Sequence, residues 1–152
     1  RIVLNAAPFS AVPDTLLGAV DILVVNEIEA KALGAAFGAA PDDEHAAAAA
    51  LAQRCELTCV LTLGAAGAVA FDDEGTRHVA ALPVDVVDTT GAGDAFVGTL
   101  AASLDEGATF DEALRAAATA GSLACTRLGA QSGLASRDEI QHSLEQMPPV
   151  VR

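Results

Sequence analysis

Tryptophan and tyrosine are absent from the 152 residues, and aromatic residues make up only 3% of them. Without flat rings for bases to stack on, a platform for single-stranded nucleic acid is not expected. Positive charge is nearly as scarce: 8 Lys and Arg stand against 21 Asp and Glu, giving a formal net charge of −13. A surface of that sign repels polyanions, so neither nucleic acid nor an anionic membrane is an expected partner. Lys31 is the only lysine, so a phosphate-rich ligand would have to be met by backbone N–H groups, a helix start and a metal. Cysteine is limited to Cys55, Cys59 and Cys125, an odd count without CxxC spacing. That pattern suggests neither a disulfide framework nor a zinc site, and fits reduced, buried thiols in a cytoplasmic protein. No apolar run reaches membrane-spanning length, and no signal-peptide pattern opens the chain.

What is present is alanine, and with it an alternation of strand-like and helix-like segments. Apolar residues reach 52%, and alanine runs favour helix. Strands are expected at 2–5, 21–25, 58–63, 68–71 and 76–80, the last two forming a hairpin around Asp72-Asp73-Glu74-Gly75. Helices are expected near 13–20, at 27–37 with Gly38 as its stop, at 42–55, and at 93–106, 110–127 and 136–146. A Pro-containing loop follows the first strand. The order predicts one three-layer α/β domain with a mostly parallel sheet and a β-hairpin at its edge. The sequence opens directly on the apolar Ile2-Val3-Leu4-Asn5, and we expect it to be part of a longer chain.

The densest chemistry lies in Asp88-Thr89-Thr90-Gly91-Ala92-Gly93-Asp94 and the helix that follows. Gly91 and Gly93 allow close backbone approach, and a helix beginning there offers unpaired N–H groups and the positive end of its dipole to an anion. Asp94 has an ordinary explanation as a helix-start acid. The dinucleotide fingerprint is not met, because Phe96 stands where the third glycine belongs, and no Gly-Lys-Ser/Thr follows. An anion-binding turn with a carboxylate inside it suits phosphoryl transfer to a hydroxyl. The amides would neutralise the moving phosphoryl group, and Asp94 would accept the alcohol proton.

The stretch Asp88–Leu100, DTTGAGDAFVGTL, closely resembles the C-terminal signature of the ribokinase-like PfkB carbohydrate kinases. The resemblance implies a ribokinase-like fold, Asp94 as catalytic base, and Gly91, Ala92 and Gly93 as the anion hole. Asn26-Glu27-Ile28-Glu29 is similar to the family's Asn-x-x-Glu motif, which implies that Asn26 meets nucleotide phosphates and Glu29 helps place Mg²⁺, through water. The same four residues also read as a capping box. Thr62-Leu63-Gly64-Ala65-Ala66-Gly67 resembles the strand and loop that pack on the nucleotide, carrying over Thr62, Gly64 and Gly67; by itself it is a glycine-rich turn. Ala118 matches a position lining the adenine pocket. Arg127-Leu128-Gly129-Ala130-Gln131 resembles a closing loop which, with Asp88 and Thr90, holds an activating K⁺ through carbonyls of Ala124, Arg127 and Gly129. One departure stands there: Gly133 occupies the place of a serine two residues after the glutamine, with Ser132 one earlier.

The resemblance thus implies ATP-dependent transfer of the γ-phosphoryl group to a hydroxyl of a ribose-like sugar. A nucleoside, sugar phosphate or keto-sugar acid is an alternative acceptor, and a non-catalytic nucleotide-binding module an alternative role. It covers the nucleotide-binding and catalytic C-terminal part, residues 1–152, without the N-terminal sugar-binding part and lid. A homodimer is expected of the full-length protein. His45, His78 and His142 form no cluster and are expected at the surface, and the acidic run 72–74 is expected to be a solvated turn.

Overall fold

The computed structural model describes residues 1–7, 12–38 and 42–152. The loop expected around Pro8 lies largely outside them. The described residues form two compact units, Arg1–Leu63 with Ala68–Arg77 and Arg152, and Gly64–Gly67 with His78–Val151.

In the first unit the strands are β1 (Val3–Asn5), β2 (Ile22–Asn26), β3 (Thr58–Thr62) and β4 (Ala68–Asp72), with β5 (Gly75–Val79) next in order. β1 and β2 are parallel, as are β2 and β3, whereas β3 and β4 run antiparallel. The sheet is therefore mixed, with its parallel part first, as expected. Register places Asn26 opposite Thr62, which brings two candidate residues to the same end of neighbouring strands. β2 and β3 are buried along most of their length, consistent with apolar runs covered on both faces. Helix α1 (Asp14–Leu17) leads into β2, α2 (Glu27–Ala36) follows it, and α3 (Glu44–Cys55) leads into β3. Ala47, Ala48 and Leu51 of α3 are fully buried with Leu23, Val25, Cys59 and Leu61 in one apolar cluster. The alanine run thus serves close helix–sheet packing, since a small side chain lets the backbones approach. Asp43 caps α3 through Ala46 N, and Arg77 is paired with Asp72 and Glu74 at the hairpin.

The second unit is built on helices α4 (Ala92–Asp105), α5 (Phe110–Ala124) and α6 (Arg137–Leu144). α5 packs against both α4 and α6. Its buried face is largely alanine, and Leu100 and Leu114 are fully enclosed. A 3₁₀ turn at Gly64–Ala66, not anticipated from the sequence, precedes Gly67. Gly67 has φ +94, and a Cβ there would stand 2.0 Å from Val79 O; no other residue fits between that turn and the 79–81 backbone. The C-terminal tail is tied back by Arg115, whose guanidinium donates to the carbonyls of Leu144, Met147 and Pro148. His78 and Val151 exchange backbone hydrogen bonds of 2.8 and 2.9 Å. Among the described residues, no helix is long and apolar enough to cross a membrane.

Candidate active site

In the first unit, Asn26 ends β2 and caps α2. Its Oδ1 accepts from Glu29 N at 2.9 Å, and Glu29 Oε2 accepts from Asn26 N at 2.9 Å. The capping box is therefore formed. It fixes the rotamers of both side chains, leaving Asn26 Nδ2 and Glu29 Oε1 as the groups that could meet a ligand. Asn26 is exposed and Glu29 is buried. Thr62 Oγ1 donates to Val25 O at 3.3 Å across the β2–β3 pair. Among the described residues, no group of three or more His, Cys, Asp or Glu converges to hold a metal directly. A magnesium ion bound mostly by water and phosphate oxygens, with one carboxylate oxygen assisting, fits this donor set.

In the second unit the segment 88–94 is shaped by glycine and by Asp88. Gly91 is the N-cap of α4, with φ +82, and supplies no side-chain cap. Ala92 N donates to Thr89 O at 3.2 Å and Ala95 N to Gly91 O at 2.9 Å. The amides of Gly91, Gly93 and Asp94 have no partner among the described residues. Of the three amides expected to form the anion hole, two are thus free, and that of Ala92 is turned to the Thr89 carbonyl. The Asp94 carboxylate sits in the first turn of α4, exposed, and accepts no hydrogen bond among the described residues. A helix start with free donors would ordinarily be capped by a side chain. Here the one acid present leaves the donors open.

Asp88 holds this segment to the 125–133 loop. Its Oδ1 accepts from Thr90 N at 3.0 Å and Thr90 Oγ1 at 2.7 Å, and its Oδ2 from Gly129 N at 2.8 Å. These bonds, that from Gly129 foremost, hold the Asp88 carboxyl below its ordinary value. Val87 N and Asp88 N both donate to Cys125 O, at 2.8 and 3.2 Å. Ala124 and Ala118 are buried in α5. The Arg127 side chain is turned to Glu139 of α6. Gly64 opens the 3₁₀ turn and Gly67 follows it, in this same unit.

Two close fits involve residues of the 125–133 loop. Ala130 packs so closely on Gly91 that a Cβ there would come within 2.9 Å of its Cα and Cβ. Gly133 is buried, and a Cβ on it would stand 2.8 Å from Ala124 O and 3.0 Å from Gly129 O. The first joins residues far apart in the chain, which no local pattern encodes.

The mixed sheet, its order and its helices place the chain in the ribokinase-like α/β fold class. It is similar to ribokinase from Thermotoga maritima with a TM-score of 0.88 at 30% identity, covering 94% of this chain and 48% of that one. It is also similar to Arabidopsis thaliana ribokinase complexed with ribose and ATP, with a TM-score of 0.84 at 29% identity, covering 95% and 47%. More narrowly, residues 1–137 match the model of the pfkB family carbohydrate kinases, and the chain belongs to that family. Ribokinase of Haemophilus influenzae is 35% identical over 145 residues, 95% of this chain and 47% of that protein. The chain spans about half the length of the curated relatives it matches.

Proposed function

We propose that this chain supplies the nucleotide-binding and catalytic part of an ATP-dependent kinase that phosphorylates a hydroxyl of a small, ribose-like sugar. The observation that carries the proposal is the start of α4, where the free amides of Gly91 and Gly93 stand in the same turn as the free, exposed carboxylate of Asp94. Donors for a phosphoryl group and an acceptor for a proton are otherwise an odd pairing, because the carboxylate repels the ligand the amides attract. Transfer to an alcohol needs both.

In this mechanism Asp94 takes the proton of the attacking hydroxyl as the bond to phosphorus forms. The Gly91 and Gly93 amides stabilise the charge on the transferring group. Asn26, its rotamer set by the capping box, presents its amide to the nucleotide phosphates, and Glu29 orients water around a divalent ion. A bound Mg²⁺ would supply neutralisation of the phosphate oxygens. Thr62, Gly64, Gly67 and Ala118 are assigned to the nucleotide by family resemblance. The similarity to a ribokinase solved with ribose and ATP supports a sugar acceptor.

The test is ATP consumption by the full-length protein with Mg²⁺ over a panel of sugars and nucleosides, repeated with Asp94→Asn. Turnover with a pentose or hexose is expected, cut by ~10²–10⁴-fold in the variant with nucleotide affinity nearly unchanged, as for loss of a general base. Near-normal turnover in Asp94→Asn removes Asp94 from the mechanism. ATP binding without turnover on any acceptor would make the chain a nucleotide-binding module.

A further inference from the structure

Ser122 makes two hydrogen bonds that no motif announces. Its Oγ donates to the Ala118 carbonyl, one turn earlier in α5, at 2.9 Å, and accepts from the backbone N–H of Leu82 at 3.1 Å. A hydroxyl has one proton and two lone pairs, so the first bond turns the proton along the helix and leaves a lone pair for Leu82. A back-bond of this kind does not by itself strengthen a helix. Thr119 makes one too, to Arg115 O at 2.9 Å, and that bond stays within α5. Ser122 differs in reaching a residue 40 positions away.

Residues 80–86 lie in neither helix nor strand, so no ladder fixes them. Their place is set from two sides. On one side is Gly67, where a Cβ would stand 2.0 Å from Val79 O and 2.8 Å from Ala80 C and Ala81 N. On the other, Ser122 holds the buried Leu82. The short backbone from Val79 to Leu82 thus joins the Gly64–Gly67 turn to the Ala118–Ser122 turn of α5, all within the second unit. These two turns carry Gly64, Gly67 and Ala118, the residues of this unit assigned to the nucleotide. The other end of the stretch has its own anchor, because Val87 N and Asp88 N both donate to Cys125 O.

We infer that Ser122 is a positioning residue for the nucleotide. Through Leu82 it sets the spacing between the Gly64–Gly67 turn and Ala118, and so governs nucleotide affinity rather than the transfer step. Cys125 O anchors the chain before Gly91–Asp94 separately, so loss of the Ser122 hydroxyl leaves Asp94 in place. The inference rests on the kinase function proposed above.

The test compares the full-length protein with Ser122→Ala and with Thr119→Ala, which removes a similar helix back-bond without touching residue 82. Ser122→Ala is expected to raise the ATP dissociation constant and KM by about three- to tenfold, the range of one net hydrogen bond. Turnover at saturating ATP and the KM of the acceptor should stay unchanged. Thr119→Ala should leave ATP affinity at the parent value. Equal affinity in Ser122→Ala and parent, or an equal loss in both variants, overturns the inference. Amide hydrogen exchange of the parent adds a measurement that needs no variant. Coupling is reciprocal, so bound ATP should slow exchange at Leu82 more than at residues 137–144 of α6; no added protection at Leu82 also overturns the inference. A parent that binds no ATP counts against the proposed function itself, whereas a parent that binds ATP with Leu82 and Ser122 uninvolved counts against this inference alone.

Discussion

Gly91 and Gly93 stand two residues apart in one signature, yet the structure asks different things of them. Gly91 sits at φ +82, with Ala130 where its side chain would be. A left-handed conformation costs an L-residue roughly 1–2 kcal/mol, before any displacement of Ala130. Gly93 is in α4, and a Cβ there meets nothing within 4 Å. Gly91→Ala is therefore expected to lower the thermal midpoint by several degrees and to weaken nucleotide binding, because relief of the clash turns the amide away. Gly93→Ala should leave the fold intact, or stabilise it by about 0.5–1 kcal/mol through lower unfolded-state entropy. Calorimetry of the two variants decides the matter, and equal midpoints would show that the close contact with Ala130 is not part of the turn.

At the scale of elements, α6 shows how a short polar helix is held. Ser136 caps it, and Glu139 accepts from Ser136 N at 2.7 Å and Ser136 Oγ at 2.8 Å while pairing with Arg127. The backbone bond from Ser136, then Arg127, lower the Glu139 carboxyl from 4.5 to about 2. A depressed carboxylate stabilises the folded state above its ordinary value, and that contribution is lost as pH falls from 4.5 to about 2. Glu139→Gln keeps an acceptor for the box but removes the charge, so helicity near α6 should lose its dependence on pH in that window. Far-ultraviolet circular dichroism of parent and variant down to low pH would show the difference; identical profiles would mean the ion pair contributes nothing. The start of this helix was legible, because Ser136 and Glu139 have capping-box spacing. The end of α5 was not: the pattern continues to 127, but the helix stops at Ala124, where Cys125 O is taken by Val87 N and Asp88 N. The same contrast holds in the candidate site. The Gly91–Asp94 turn and the Asn26–Glu29 box are local and could be read from spacing. The bond from Gly129 to Asp88, 41 residues apart, and the fit of Ala130 against Gly91 depend on tertiary contact, which a local pattern does not carry.

Over the whole molecule, apolar burial is divided between two units, and cysteines report on each. Cys59 lies in β3, 0% exposed, and burial pushes its thiol up to about 12. Cys125, at the end of α5, is half-buried and donates to Gly121 O at 3.3 Å; burial chiefly, and then Asp88, raises its thiol. Alkylation proceeds through the thiolate. At about pH 8 a thiol with a pKa near 12 is ionised to the order of 10⁻⁴, and Cys59 is enclosed as well, so the native chain should leave it unmodified. Labelling of Cys59 must then wait for the sheet to open, whereas Cys125 needs only the α5 end to loosen. Mass spectrometry of samples alkylated along a urea series would follow both residues in one experiment. Cys125 is expected to react at lower urea than Cys59, because stability is spent first where exposure is greatest. Reaction of Cys59 in native buffer at the rate of Cys125 would mean that the sheet core opens freely, contrary to the fully buried cluster formed by Leu23, Leu51, Cys59 and Leu61.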